Sequence, residues 1–542
     1  MSDARRYLRP NVSIEPLYNQ WYAWWYLIPP QTAPMFVANL HTRIMKSFVT
    51  APDVHVAALK NPAMKGGPFI NYPAHRVGEI DRLLDRTVKE QAASLRFVEA
   101  LGELDKLLVG ASTGHSLEGL YAKVPEILQG YVELTYDLNH RATARFIEPL
   151  LYRSPHYRES SQSMVVRLID GDERPYVYST PRLDTEGAIH IHRPFRDPAI
   201  DQLFAMRVTP GSPGEVAEAL GIAARDADLF AALFTDEPPR PAAGSTADTP
   251  ANGKRFTGDG VRMRYFGHAC VLIESRDVSI LTDPVISYDF ATELPRYTYC
   301  DLPDKIDYVL ITHGHADHLM LETLLQLRAR VGTIVVPRSN GGYLADPSLK
   351  LLLQQVGFRN VIEIEDFDTL EIPGGSLTGL PFFGEHCDLN IRAKTAHLVR
   401  LAGKTMLMAA DSNAIEPKLY DHIHAAVGKI DVLFLGMESE GAPMSWLYGP
   451  LLHTPLSRKM DQSRRVNGSN GDRAIEIVHR LTPSHVYIYA MGREPWLGHV
   501  MSMGYHEESP QLLESRKLMD YCRARGITTG MPYIRDEISI AE

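Results

Sequence analysis

The sequence predicts a two-domain α/β protein, and three observations carry that prediction. Residues 235–260 (TDEPPRPAAGSTADTPANGKRFTGDG) are rich in Pro, Gly, Ala, Ser and Thr and hold almost no large apolar side chain, which is linker composition. The part before them mixes helical and strand-like patterns. The part after them repeats short apolar strands with helical stretches between several of them, the rhythm of sheets covered by helices. The expected organisation is a mixed α/β N-terminal domain over residues 1–240, a linker over 241–258 and a second α/β domain over 259–542. At about 100–200 residues per domain, 542 residues leave ample room for both.

In the N-terminal part, residues 79–109 carry apolar side chains at three-and-four spacing and predict an amphipathic helix. SPGE at 212–215 is a capping box with Pro at the first helical position, predicting a helix through Phe234. SMVVRLI (163–169) and YVYST (175–179) predict strands. Trp21, Tyr22, Trp24, Trp25 and Tyr26 form an aromatic cluster that predicts core packing. A dimer or partner surface is the alternative, since Trp and Tyr are favoured there. In the C-terminal part the predicted strands are VRMRYFG, CVLIE, SILTDPV, YVLITH, TIVVP, LVRL, TMLMAAD, DVLFLGM and HVYIYAM, with helices at 319–330, 344–356 and 472–481.

Composition narrows the function class. With 44% hydrophobic and 23% charged residues the chain is of the soluble globular type, which excludes disorder, collagen and a membrane bundle. Lys and Arg total 56 against 66 Asp and Glu, so the basic surplus of a nucleic-acid binder is missing. The first residues show no apolar signal region. The run Trp21–Ile28 is far shorter than the ~20 residues that span a bilayer, so no membrane association is expected. Cys270, Cys300, Cys387 and Cys522 are scattered and form no CxxC, which argues against a disulfide framework or an iron–sulfur cluster and for a reduced, cytoplasmic protein.

The chemistry concentrates where YVLITH runs into His313-Gly-His315-Ala-Asp317-His318. Four donors lie within six residues, directly after a buried strand. His313 and His315 alternate and can share one ion; the chain then turns, and Asp317 and His318 can serve a second. Imidazole suits Zn, Fe and Ni, and carboxylate widens the choice. Glu438, at the end of the strand DVLFLGM on the side facing the same cleft, is a further catalytic candidate: a carboxylate there can hydrogen-bond metal-bound water or shift onto a metal.

THGHADH resembles the signature of the metallo-β-lactamase superfamily, whose fold is an αββα sandwich with a two-metal cleft at the strand ends. FGHACVLIES followed by TDPV resembles the opening strands of that fold, and TMLMAAD ends in Asp411 where the family places its bridging carboxylate. Hydrolases of the superfamily use a third His for the first metal, on a loop that here reads Pro381-Phe-Phe-Gly-Glu385-His386-Cys387-Asp388. Adjacent extended residues point opposite ways, so one of Glu385 and His386 reaches the metal. GEHCDLNIR, together with the long N-terminal half, closely resembles the di-iron β-hydroxylases of nonribosomal peptide biosynthesis, a route to antibiotics, in which the Glu is the ligand.

That resemblance implies a full set of expectations. The enzyme is a non-haem di-iron monooxygenase. It uses O2 to hydroxylate the β-carbon of an amino acid tethered as a thioester to a carrier domain of a nonribosomal peptide synthetase. The ligands are His313, His315, Asp317, His318, Glu385, Asp411 and a last His. Each metal then has two His and one terminal carboxylate, the set associated with non-haem Fe(II) oxygenases. A His in place of Glu385 would suit zinc and a bound hydroxide. A di-zinc thioesterase, lactonase or phosphodiesterase is therefore the alternative. The last His should follow the strand HVYIYAMG; of His479, His485, His499 and His506, His499 is the choice and His485 its fallback. His268 and Asp283 are expected to orient ligands rather than to be ligands. Two external electrons imply a separate reductase, since no flavin, nicotinamide or iron–sulfur motif is present. The N-terminal half is implied to form a homodimer and to shape the substrate entrance.

Three motifs are set aside. GASTG (110–114) fits a nucleophile elbow but follows a helical run where that motif needs a strand. Gly403-Lys404-Thr405 lacks the first P-loop Gly, because position 398 is Leu. His190-Ile-His192 is an isolated pair in a strand-like segment. The basic polar stretch 457–472 (SRKMDQSRRVNGSNGD) predicts a solvated loop, with docking to an acidic carrier domain as its functional alternative.

Overall fold

The computed structural model describes residues 4–61, 64–240 and 255–540. Most of the expected linker, residues 241–254, lies outside the described residues. Two seven-stranded sheets build the C-terminal half. The first runs Val361–Ile364, Val331–Pro337, Ile306–Leu310, Ser279–Thr282, Cys270–Glu274, Arg262–Gly267, Asp536–Ser539 in spatial order. The second runs Thr369–Ile372, Gly375–Leu380, Ala396–Leu401, Lys404–Met408, Val432–Gly436, His485–Tyr489, Thr528–Gly530. Inward-facing Val271, Ile273, Ile280, Val399, Met406 and Phe434 form the apolar layer between them. A second layer lies between the second sheet and helices Lys418–Val427, Gly471–Leu481 and Pro510–Arg523. Helices Leu321–Leu327 and Leu349–Gln355 cover the first sheet's outer face, which completes an αββα sandwich.

Each sheet contains a run of parallel strands. Ile306–Leu310 pairs in parallel with both its neighbours, and Val432–Gly436 with both of its own. Their carboxyl ends therefore open on one rim, the crevice where open α/β sheets hold ligands. His313, Asp283, Asp411 and Glu438 all follow such strand ends.

In the N-terminal half, Trp21–Tyr22, Val12–Tyr18, Gln162–Leu168 and Ala188–Ile191 form an antiparallel sheet beside helices Thr42–Thr50, Val77–Glu90 and Ala92–Ala111. One continuous apolar cluster joins this half to the helix layer of the first sheet. The aromatic run Trp21–Tyr26 is buried in that joint rather than presented outward. Polar links cross it as well, among them Tyr22 Oη donating to Glu322 Oε2 at 2.9 Å, Arg174 pairing with Glu322 at 2.8 Å, and Arg207 Nε donating to Gln326 Oε1 at 2.9 Å. Glu15 accepts two bonds from Arg182 at 2.8 and 2.9 Å beside them. Burial pushes the Glu15 carboxyl up, but Arg182 and Arg174 outweigh it and hold Glu15 far below its ordinary value.

Three local expectations differ from the structure. The predicted helix 79–109 is two helices broken at Gln91, whose side chain donates to the Ser161 hydroxyl and accepts from that of Ser94. The helix opened by Ser212 ends at Leu220, because Gly221 takes the left-handed conformation (φ 69°) that closes helices. YVYST forms a turn, not a strand; Thr180 N donates to Tyr176 O, and the turn aims Tyr176 at Trp446 and Tyr178 at Trp24. Among the described residues no helix is long and apolar enough to cross a membrane.

Candidate metal centre

The loop 313–318 leaves strand Ile306–Leu310 through Ile311 and Thr312, and Asp283 from the neighbouring strand end ties it down. Asp283 Oδ1 accepts from Thr312 N at 2.8 Å; its Oδ2 accepts from the Thr312 hydroxyl at 2.6 Å and lies 2.8 Å from His318 Nδ1. The Asp283 contact leaves His318 Nε2 as the donor that faces the cleft. Asp283 itself has φ 31°, and His268, Glu385 and Ala410 also sit at positive φ (54°, 73° and 48°). Such backbone costs of order 1–3 kcal/mol per residue and is kept where the surroundings over-determine it, commonly at functional sites.

Two groups of donors result, and one carboxylate lies between them. His313, His315 and Glu385 bring ligand atoms within 4.8 Å of one another. His315 Nδ1 is 2.8 Å from Glu385 Oε1 and 3.1 Å from His313 Nε2. Asp317 and His318 make the other group, with Asp317 Oδ2 3.6 Å from His318 Nε2. Asp411 Oδ2 lies 3.0 Å from His318 Nε2 and 3.6 Å from His313 Nε2, between the two groups. Of the adjacent pair, Glu385 brings its carboxylate to His313 and His315, whereas His386 packs its ring 4.9 Å from that of His315 and places Nδ1 2.8 Å from Tyr448 Oη.

The donors fit cations. His318 Nε2 and Asp411 Oδ1 are buried with no hydrogen-bond partner, an arrangement that costs free energy unless something else satisfies them. Asp317, Glu385, Asp411 and Glu438 are gathered in one region, and their mutual repulsion needs positive charge. Burial, then Asp411, raises the Glu385 pKa. Burial, then Asp317, Glu385 and Asp411, pushes Glu438 well above the ordinary carboxylate value. Burial and the neighbouring His318 and His315 hold His313 neutral, with its lone pair available. Burial opposes a charge on His318, yet Asp411, Asp317 and Asp283 outweigh it and raise its pKa far above 6.5.

The last predicted ligand needs correction. His499 lies in the short helix Gly498–Met501, on the joint between the two halves and away from both donor groups. Its ring meets Tyr22 edge-on at 5.9 Å, its Nε2 is 3.9 Å from Glu322, and its carbonyl accepts from Val177 N at 3.0 Å. The physical reason is the turn after strand His485–Tyr489: Pro495–Leu497 forms a 3-10 turn whose Trp496 packs on Gly267, and the chain is carried beneath the N-terminal half. The other three histidines do not replace it. His485 starts the strand and bonds Asp431, His479 faces Tyr521, and His506 is exposed.

His268 is the imidazole beside Asp317, with Nε2 3.0 Å from Oδ2. Its Nδ1 accepts from Gly492 N at 3.1 Å, so the ring proton sits on Nε2 and is donated to Asp317. His268 thus orients Asp317 and does not offer a lone pair to a metal. Tyr448 plays the matching part on the other side, 2.7 Å from His315 Nε2. Nothing in the apolar segment SWLYGP singles that residue out in the sequence. Trp25 of the N-terminal half closes the loop from outside: a Cβ at Gly314 would lie 2.7 Å from its ring.

A cavity of about 520 Å³ leads from the surface to these donors. His315, Asp317, Glu385 and Glu438 stand at its buried end, and Phe69, Tyr178, Trp446 and Val500 line its apolar walls.

Known proteins share this architecture from end to end. Residues 7–238 match the N-terminal domain of the di-iron non-haem β-hydroxylases, and residues 279–486 match the β-lactamase superfamily domain. A 4-amino-L-phenylalanyl-[CmlP-peptidyl-carrier-protein] 3-hydroxylase of Streptomyces venezuelae is 39% identical over 97% of this chain and 98% of its own length. The crystal structure of CmlA, a di-iron β-hydroxylase from Streptomyces venezuelae, superposes with a TM-score of 0.91 at 37% identity, covering 99% of this chain and 100% of that one. A single-residue variant of that hydroxylase superposes at 0.89 with 36% identity, over 99% of this chain and 100% of its own. The chain belongs to the family of di-iron non-haem β-hydroxylases.

Proposed function

We propose that this enzyme uses O2 to hydroxylate the β-carbon of an amino acid held as a thioester on a carrier domain of a nonribosomal peptide synthetase. The observation that carries the reading is the carboxylate Glu385 beside His313 and His315, where superfamily hydrolases use a third His. The peptidyl-carrier-bound substrate named for the 39% identical relative supports the substrate class. His313, His315 and Glu385 would hold one iron, Asp317 and His318 the other, and Asp411 both. The pair supplies the redox chemistry that activates oxygen.

The chain's own residues do the rest. His268 and Asp283 fix Asp317 and His318 in orientation. Tyr178 and Trp446 hold an apolar side chain and keep water out of the cavity. Glu438 stands at the cavity's buried end with Asp317 and Glu385, where it can accept a proton or hold a water in place. The balance is one oxygen atom into the C–H bond and one leaving as water, with two electrons and two protons from outside. A separate reductase follows from that balance. A homodimer and a cytoplasmic location complete the reading.

The test is elemental analysis of protein expressed with iron available, followed by reaction of 4-amino-L-phenylalanyl carrier domain under reducing conditions. Two irons per chain and a product heavier by one oxygen are expected. Two zincs after iron-supplemented growth, with thioester hydrolysis instead of hydroxylation, would overturn the proposal. Sedimentation velocity checks the dimer.

A further inference from the structure

We infer that Lys65 and Arg465 form an anion seat at the outer end of the catalytic cavity that takes the phosphodiester of a carrier's 4′-phosphopantetheine arm. The inference rests on the carrier-bound reading above and adds to it where the arm's charge is held.

Both cations line the cavity whose other end holds His315, Asp317, Glu385 and Glu438. Lys65 is exposed; Arg465 is half-buried, as Asp317 and Glu438 are, but neither cation is among the charges that most shift Glu385 or Glu438, which sets both apart from the inner donors. Neither has an ion-pair or side-chain hydrogen-bond partner among the described residues. That contrasts with Arg174, Arg182, Arg296 and Arg328, which are all paired. Glu440 lines the same cavity and is exposed too, so the outer end carries two cations to one carboxylate.

Packing holds both cations in place. Arg465 stands in a ribbon tied to the segment that carries Glu438. Met444 N donates to Arg464 O at 3.1 Å, Val466 N to Ala442 O at 2.9 Å, Gly441 N to Asn467 Oδ1 at 2.9 Å and Gly468 N to Glu438 O at 2.9 Å. The two strands of this ribbon touch so closely that a Cβ at Gly441 would lie 1.3 Å from Val466 O. The distance from Arg465 to Glu438 is therefore set by backbone, not by a mobile loop. Gly66 lies against Trp446, where a Cβ would meet the indole at 2.3 Å, and its φ of 76° suits glycine. That contact seats the loop carrying Lys65.

The chemistry selects one occupant. A thioester-bound amino acid enters this cavity on its arm, and the arm must run from the buried donors to the outside. A pantetheine arm is neutral along its length except for one phosphodiester, at the end that joins the carrier. Two cations lining the cavity, with Glu440 as the exposed carboxylate beside them, match that single charge. Hydrogen bonds from charged donors to phosphate oxygens are the strong kind. They also bring binding energy from a part of the substrate remote from the reacting carbon. The exposed Arg458 and Lys459, on the helix that precedes Arg465 in the chain, extend the positive charge outward.

The experiment compares the full-length iron-loaded enzyme with Lys65→Glu, Arg465→Glu, the double variant and the milder Arg465→Gln. Dissociation constants are measured for two probes, 4′-phosphopantetheine and pantetheine, which differ only in the phosphate. The wild type should bind the phosphorylated probe about tenfold more tightly or better, and the double variant should lose that preference while its affinity for pantetheine stays within about twofold. Arg465→Gln should lose part of it with metal content unchanged. Equal binding of both probes by the wild type, or an equal loss of both in the variants, overturns the seat. Reaction with 4-amino-L-phenylalanyl carrier domain separates the two ideas. A wild type that hydroxylates it without phosphate preference keeps the carrier reading and discards the seat; one that hydroxylates only the free amino acid discards both.

Discussion

Replacing Tyr448 by Phe tests whether the imidazole of His315 is aimed by its neighbour. The hydroxyl lies 2.7 Å from His315 Nε2 and 2.8 Å from His386 Nδ1. His315 Nδ1 faces Glu385 and His313, so its proton sits on Nε2 and is donated to the Tyr448 oxygen. The tyrosine hydrogen then goes to His386 Nδ1, which burial and the nearby His315 keep neutral and able to accept. Tyr448, His315 and His386 are 1%, 5% and 3% exposed, so no solvent replaces the lost oxygen. Phe keeps the ring against Tyr26 and removes only the oxygen. It leaves one donor and one acceptor buried and unpaired, at about 1–3 kcal/mol each. The share that falls on His315 lowers metal affinity by roughly 10- to 100-fold, the usual effect of losing a partner of a ligating His. Competition with a coloured chelator gives that affinity, and elemental analysis gives the stoichiometry. An affinity within twofold of wild type would show that His315 is held by its other contacts and that the tautomer argument fails.

Four further outcomes are expected. Glu385→His should bind zinc in place of iron and lose hydroxylation; normal hydroxylation with iron bound would exclude Glu385 as a ligand. Glu438→Ala should retain both metals and slow turnover or uncouple it from oxygen consumption, whereas loss of one metal would make Glu438 a ligand. His499→Ala should leave metal content unchanged and lower stability by about 1–3 kcal/mol, read by denaturant unfolding, because it vacates a buried site between the two halves; loss of a metal would restore it to the centre. Glu148, 3% exposed between Gln31 and Ser348, has its pKa raised by burial from 4.5 to about 7. The fold keeps that proton while the unfolded chain releases it, so stability should fall by about 3 kcal/mol as pH rises from 4.5 to 7. Glu148→Gln should remove this part of the slope; an unchanged slope would assign it to other groups.

Local patterns in the sequence translate well where the chain itself sets the geometry. HxHxDH follows a strand, so its four donors are placed by one turn of backbone, and Asp411 follows the next parallel strand end in the other sheet. The Ser212 cap and the Pro after it start a helix where they predict one. Expectation and structure part where distant segments decide. The helix of 79–109 keeps its apolar stripe but yields at Gln91 to Ser161, seventy positions away. Tyr176 and Tyr178 have strand-like composition, yet Trp446 and Trp24 draw both inward from a turn. His499 stands at the right distance after the right strand. Its destination is set by Trp496 packing on Gly267 and by the N-terminal half above it, neither of which leaves a mark in the local sequence. His268 and Asp283 are legible as orienting groups because they flank strand ends near the loop, whereas Tyr448 reaches the centre only through tertiary packing.

The joint between the halves also sets an order of events during synthesis. Tyr22 meets Glu322 across 300 positions and Tyr26 meets Ala345 across 319. At roughly 5–20 residues per second, the aromatic run emerges from the ribosome about 15–60 s before its partners exist. Throughout that interval Trp25 and Tyr26 have no surface to bury against from the other half, whereas Trp21 and Trp24 already have His41 and Phe36 within their own. Trp25 meets Gly314 only when the histidine loop has been made, so that contact waits for the second half. A chain cut at the linker would give a catalytic domain whose histidine loop lacks its cover.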